Sequence, residues 1–152
     1  MKNYDKVIFV DSDNTSSGVL AEAILQKIFR LEDILVESRG LVVLFPEPVN
    51  PKIEEVLSSH DMTMGAHASR ALSADDFDHR TLILTMNVAQ KEKLTKDFEN
   101  PQNVWTLAEY LGEAFQDPMD PYGGDLSDYG KCYDQLADMI ALLADRLKKE
   151  DR

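Results

Sequence analysis

An apolar run, Val7-Ile8-Phe9-Val10, gives way at once to Asp11-Ser12-Asp13-Asn14-Thr15-Ser16-Ser17-Gly18, where every side chain is small or polar. The run is short and β-branched, and it predicts a buried parallel strand. The polar stretch predicts a loop. Leu20, Ala23, Ile24 and Ile28 then recur at helical spacing as far as Phe29. Strand, polar loop and helix form the junction at which α/β folds seat ligands, because free amides at the helix start face the loop.

The same alternation continues along the chain. Ile34-Leu35-Val36 predicts a second strand, ended by Arg39-Gly40. Phe45-Pro46-Glu47-Pro48 is extended, since each proline turns its predecessor away from helix. Asn50-Pro51 predicts a helix start, with the helix running to about His60. Ser73-Ala74-Asp75-Asp76 opens a short helix. Thr81 to Met86 predicts the third strand, Val88 to about Phe98 a helix, and Val104 to Leu107 the fourth strand. Two prolines and two glycines make Asp117 to Gly124 a loop. From Ser127 a long amphipathic helix buries Tyr129, Cys132, Tyr133, Leu136, Met139, Ile140, Leu143 and Leu147. Trp105 is expected in the core. The whole predicts one domain over residues 1–152: an α/β three-layer sandwich around a four-stranded parallel sheet.

The formal net charge of −12 argues against a nucleic-acid surface, which needs clustered Lys and Arg. It argues more weakly against anionic lipid. No segment is apolar over the ~20 residues of a membrane span, and the polar opening Met1 to Lys6 does not read as a signal peptide. Cys132 is the single cysteine, which rules out an intrachain disulfide and suits a cytoplasmic setting.

Several segments, in order, resemble low-molecular-weight protein tyrosine phosphatases. That family opens with an apolar strand, then Cys, five residues, Arg, Ser-Pro and a helix beginning Met-Ala-Glu-Ala. Here the helix has Leu20-Ala21-Glu22-Ala23, and only Asn14-Thr15 keep the common Gly-Asn-Thr core of the loop. His67 to Phe77 is similar to the family's His-x-Ala-Arg-x-Leu-Ser/Thr-x-Glu-Asp-Phe segment. Leu82 to Asn87 resembles the strand that there ends in Met-Asp, and Asp120-Pro121-Tyr122-Gly123 the Asp-Pro-Tyr-Gly before the last helix.

In that register Asp11 stands at the position of the nucleophilic cysteine and Ser17 at that of the phosphate-binding arginine. Asp120 stands at the position of the general acid. Ser12, Asp13, Asn14, Thr15, Ser16 and Gly18 would make up the ligand loop, and Tyr122 the aromatic beside the pocket. His67 and Arg70 would support the loop from behind. The resemblance implies a thiolate attack that this chain cannot make. Asp11 is a poorer nucleophile and carries negative charge where phosphate would sit. Ser17 cannot supply the charged fork of an arginine. The expectation is a degenerate member without cofactor that binds an unknown protein or a small anionic or phosphorylated ligand.

Two other readings of the loop stand beside this one. Val10-Asp11-Ser12-Asp13-Asn14-Thr15 also resembles the Asp-x-Asp-x-Thr opening of haloacid-dehalogenase-like phosphatases, with Thr85 as a further hydroxyl. In a weaker form of that reading, Asp11 and Asp13, with Asp120, hold Mg²⁺ on the tyrosine-phosphatase fold and Asp11 is the nucleophile. A third reading needs no ligand: Ser16 or Ser17 caps the helix, and Asp11 or Asp13 accepts from loop amides. Arg39 is a possible positive charge near the loop, of unassigned direction. Asn87 departs from the family's aspartate. His60 and His79 are expected at the surface.

Overall fold

The computed structural model describes residues 3–29, 34–112 and 115–150. Met1 and Lys2 of the polar opening segment lie outside them. The order of elements is β1 (Lys6–Asp11), α1 (Ser17–Phe29), β2 (Leu35–Gly40), α2 (Pro51–Ser59), a 3₁₀ turn (Ala74–Asp76), β3 (Thr81–Thr85), α3 (Val88–Asp97), β4 (Val104–Thr106), α4 (Leu107–Leu111) and α5 (Leu126–Glu150). The sheet has four strands in the order β2-β1-β3-β4, and every pairing is parallel.

Alternation along the strands divides the core in two. Val7 and Phe9 of β1, with Leu82 and Leu84 of β3, face one side. There they join Leu20, Ile24 and Leu25 of α1, Ile53 and Leu57 of α2, and Leu136, Ile140 and Leu143 of α5. Ile8, Val10 and Ile83 face the other side and meet Leu72 and Leu94, flanked by Phe77 and Phe98. The expected apolar face of α5 is buried from Tyr129 to Leu147. Central strands covered on both faces by helices explain why their sequences are unbroken apolar runs.

Local chemistry sets the ends of several elements. Asn50 caps α2 by accepting from the Lys52 amide at 2.9 Å, with Pro51 in the first turn. β2 runs further than the apolar run suggested, through Arg39 to Gly40. α4 was not expected. Thr106 ends β4 and also caps α4, accepting from the Glu109 amide at 3.0 Å while Glu109 accepts from the Thr106 amide at 2.9 Å. Trp105 is not in the core. It lies on edge strand β4, 42% exposed, and meets the Tyr110 ring edge-on.

Candidate functional site

All strands being parallel, their C-terminal ends share one edge of the sheet. Asp11 ends β1 there, opposite Gly40 of β2. The loop 12–16 crosses Gly40 so closely that a Cβ on that residue would lie 2.7 Å from the Asp13 carbonyl carbon and 2.9 Å from the Asn14 nitrogen. Only glycine allows this approach.

α1 begins at Ser17, so Ser17 is inside the helix and is not its cap. The Ser16 carbonyl accepts from the amides of Val19 and Leu20, both at 3.1 Å. The anion at the helix start is Asp11. Its Oδ2 accepts from the Gly18 amide at 2.9 Å and its Oδ1 from the Asn14 amide. A carboxylate from the preceding strand therefore takes the amides that a bound anion would use. Asp11 is 3% exposed. Burial, with a smaller push from Asp13, raises its pKa from 3.8 to about 6, against the pull of the Gly18 and Asn14 amides.

This shift has a consequence for stability. Well below pH 3.8 Asp11 is protonated in the folded and unfolded chain alike, and burying it carries no charge penalty. As pH rises towards 6 the unfolded chain ionises first, so stability falls. The loss is complete above the folded pKa and is on the order of 3 kcal/mol. Urea unfolding between pH 4 and 7 should show a steeper fall in the native chain than in Asp11→Asn, which keeps only the part that the raised Glu22 contributes. Parallel stability curves for the two proteins would contradict it.

Asn14 holds the loop from below. It is fully buried in the left-handed conformation, φ 63°. Its Nδ2 donates to Ser38 Oγ at 2.8 Å, and its Oδ1 accepts from the Arg70 amide at 2.8 Å. His67 Nε2 donates to the Asn14 carbonyl at 2.7 Å, which places the ring proton on that nitrogen. Ser38 Oγ donates on to Glu22, and Glu22 accepts from Gln26 at 2.8 Å. Burial raises the Glu22 pKa, opposed first by the Ser38 hydroxyl. Thr15 likewise turns inward, and its carbonyl accepts from the Asn50 amide at 3.1 Å.

Above the loop lies a pocket of about 300 Å³. Asp11, Ser12, Asp13, Ser16 and Ser17 form its floor, Met86, Asn87 and Gln90 one wall, and Pro118, Met119, Asp120 and Tyr122 the other. The sequence-derived set is thus brought together in part. Asn14, Thr15 and Gly18, expected to contact ligand, do not line the pocket. They shape the loop instead. His67 and Arg70 reach the loop from behind as expected, Arg70 through its backbone amide. Arg39 is directed away. It lies on the opposite face of β2 from Ser38, paired with Glu37 at 3.1 Å and Asp76 at 3.4 Å. Asn87 caps α3 by accepting from the Gln90 amide at 2.8 Å. Cys132 is buried and does not line the pocket, and burial pushes its thiol up to about 12, with a further push from Asp120.

Sequence reading gave no role to Glu22, Ser38, Gly40, Met86, Gln90, Pro118 or Met119. Glu22 lies inside the Leu20-Ala21-Glu22-Ala23 segment that carried the family resemblance, and that was the only available signal for it.

The pocket carries three carboxylates, and no Lys, Arg or His among the described residues lines it. Such a lining does not suit an anionic or phosphorylated ligand. The Asp11/Asp13 pair does not fit Mg²⁺ either. Both Asp11 oxygens accept from amides, and Asp13 Oδ1 accepts from Thr15 Oγ1 at 2.8 Å and from the Thr15 amide at 3.1 Å. Among the described residues no three His, Cys, Asp or Glu side chains converge to hold a metal ion.

The geometry defines an α/β domain with a polar loop between its first strand and first helix, roofed by a pocket at the C-terminal edge of the sheet. The sequence model for low molecular weight phosphotyrosine protein phosphatase matches residues 6–152, and the chain belongs to that family. The low molecular weight protein-tyrosine-phosphatase PtpB of Staphylococcus epidermidis is 33% identical over 135 residues, which is 89% of this chain and 94% of the relative. The YwlE arginine phosphatase from Geobacillus stearothermophilus superposes with a TM-score of 0.88 at 25% identity, covering 95% of this chain and 94% of that one. A Cys-to-Ser variant of YwlE arginine phosphatase, its active-site serine phosphorylated, superposes with a TM-score of 0.86 at 29% identity, covering 95% and 97%.

Proposed function

We propose that this chain is a pseudo-phosphatase: it keeps the family fold and pocket, lacks cysteine-dependent phosphomonoester hydrolysis, and acts by binding. The observation that carries this is the Asp11 carboxylate held on the Gly18 and Asn14 amides. At neutral pH it puts a negative charge where an attacking thiolate and an incoming phosphate would both have to be. Ser17 offers no cation to replace the arginine. Each lost transition-state donor is worth ~3–4 kcal/mol, so loss of nucleophile and clamp together removes ordinary turnover. Asp120 keeps the acid position at the pocket wall, and Tyr122 the aromatic one. An acid without a nucleophile does not complete the reaction. A cytoplasmic setting belongs to the same reading, supported by the single buried cysteine.

One observation favours a second reading. In the YwlE variant an oxygen nucleophile at the active site carries phosphate. By analogy Asp11 would be the phosphate acceptor. Its buried, amide-bonded carboxylate stands against this. The test is hydrolysis of a generic aryl phosphate by the native chain. No turnover above buffer is expected, and turnover would end the pseudo-phosphatase reading.

A further inference from the structure

Beside the acidic pocket the chain exposes an apolar stretch. Leu41-Val42-Val43-Leu44-Phe45 leaves β2 directly, and Val42, Leu44 and Phe45 are 52%, 87% and 63% exposed. The stretch is fixed at both ends. The Leu41 and Val42 amides donate to the carbonyls of Asp11 and Ser12, each at 3.0 Å. Glu47 exchanges bonds with Ser69, its amide donating to Ser69 Oγ at 2.8 Å and its carbonyl accepting from the Ser69 amide at 2.8 Å. Pro46 and Pro48 stiffen the exit. An exposed apolar run held in place this way is a pre-ordered docking surface, since little entropy remains to be lost on binding. It adjoins the pocket through Ser12, which the stretch touches and which lines the floor. Tyr122, 78% exposed, stands on the pocket wall.

We propose that this apolar lip and the pocket together dock a protein segment that places an unphosphorylated arginine among apolar residues. The proposal rests on the binding reading above and names its partner class. Charge complementarity selects the occupant. Asp11, Asp13 and Asp120 line the pocket without a cation, on a chain of net charge −12. A guanidinium can donate to the exposed Asp13 and Asp120 carboxylates while the buried Asp11 contributes its charge, and its stem packs on apolar walls such as Met86 and Met119. The Tyr122 ring offers a face to the same cation. The neighbouring apolar residues of the segment would cover Val42, Leu44 and Phe45.

The probe is the peptide acetyl-Gly-Leu-Arg-Leu-Gly-amide, titrated into the full chain and followed by amide NMR shifts. Its citrulline counterpart, neutral and of the same shape, is the control. Saturable shifts at Ser12, Asp13 and Val42 are expected, with about tenfold weaker binding for citrulline, for Asp13→Asn, and for the surface pair Leu44→Ser/Phe45→Ser. All these positions are exposed, and an unchanged thermal midpoint certifies the fold of each variant. Equal binding of the arginine and citrulline peptides, tighter binding of a phosphotyrosine peptide, or no binding of the arginine peptide would overturn the proposal. Such failure without aryl phosphate turnover leaves the pseudo-phosphatase reading standing, whereas turnover removes that reading by itself.

Discussion

Asp11→Cys combined with Ser17→Arg is expected to give aryl phosphate hydrolysis about 10³-fold or more above the native chain. The first substitution removes the carboxylate from the Gly18 and Asn14 amides and supplies a thiolate at the helix start, where the amides and dipole favour it. The second adds a fixed cation. Position 17 lines the pocket, so an arginine there has open space ahead of it. Asp120 is already on the opposite wall to protonate the leaving group. Cysteine alone should fall short of the pair by about 10²-fold, the worth of one strong oxyanion donor. A folded double variant with no activity would show that the loop backbone does not cradle phosphate even when emptied.

Asn14→Ala should destabilise the chain by about 3 kcal/mol or more. The side chain bridges Ser38 Oγ and the Arg70 amide, and its removal leaves both without this partner inside the protein. Alanine also tolerates the left-handed backbone poorly, a further cost of about 1 kcal/mol. In a chain of this size the sum lowers the thermal midpoint by about 6–12 °C. Asn14→Gly loses the same two bonds and keeps the backbone freedom, so it should fall between alanine and the native chain. A loss below about 1 kcal/mol for alanine would mean that the loop is held by its backbone contacts alone.

What the sequence made legible follows from periodicity, and what it hid follows from contacts between distant segments. The apolar runs of β1 and β3 were plain because both faces of those strands are covered. The α5 face was plain because its helical repeat is unbroken from Tyr129 to Leu147. α4 was hidden because Val104 to Leu107 reads as one apolar run, though Thr106-Leu107-Ala108-Glu109 is a capping-box pattern. Trp105 was misplaced because an edge strand with a single neighbour leaves a large side chain half-covered.

In the loop, the family register pointed to Asp11 and Ser17, and both line the pocket floor. Which loop side chains turn inward was not, since an irregular segment has no period to read. Asn14 faces the protein because Ser38 and Arg70, far along the chain, supply its partners, and Asn50 holds the Thr15 carbonyl while the Thr15 hydroxyl bonds Asp13 inside the loop. The ligand-free reading had Ser16 or Ser17 cap the helix and Asp11 or Asp13 accept from loop amides; both aspartates do accept, and it is Asp11, from the end of β1, that reaches the Gly18 amide in the first turn. Arg39 was undirected in sequence. The alternation of β2 sends Ser38 to Glu22 on one face and Arg39 to Asp76 on the other.

The central claim is that Asp11 has replaced phosphatase chemistry rather than rerouted it. The most direct measurement is the initial rate of aryl phosphate hydrolysis by the native chain, with EDTA and with excess Mg²⁺, beside Asp11→Asn. The expected result is no turnover in any of these conditions. Mg²⁺-dependent turnover that Asp11→Asn abolishes would contradict the claim and make Asp11 a working nucleophile.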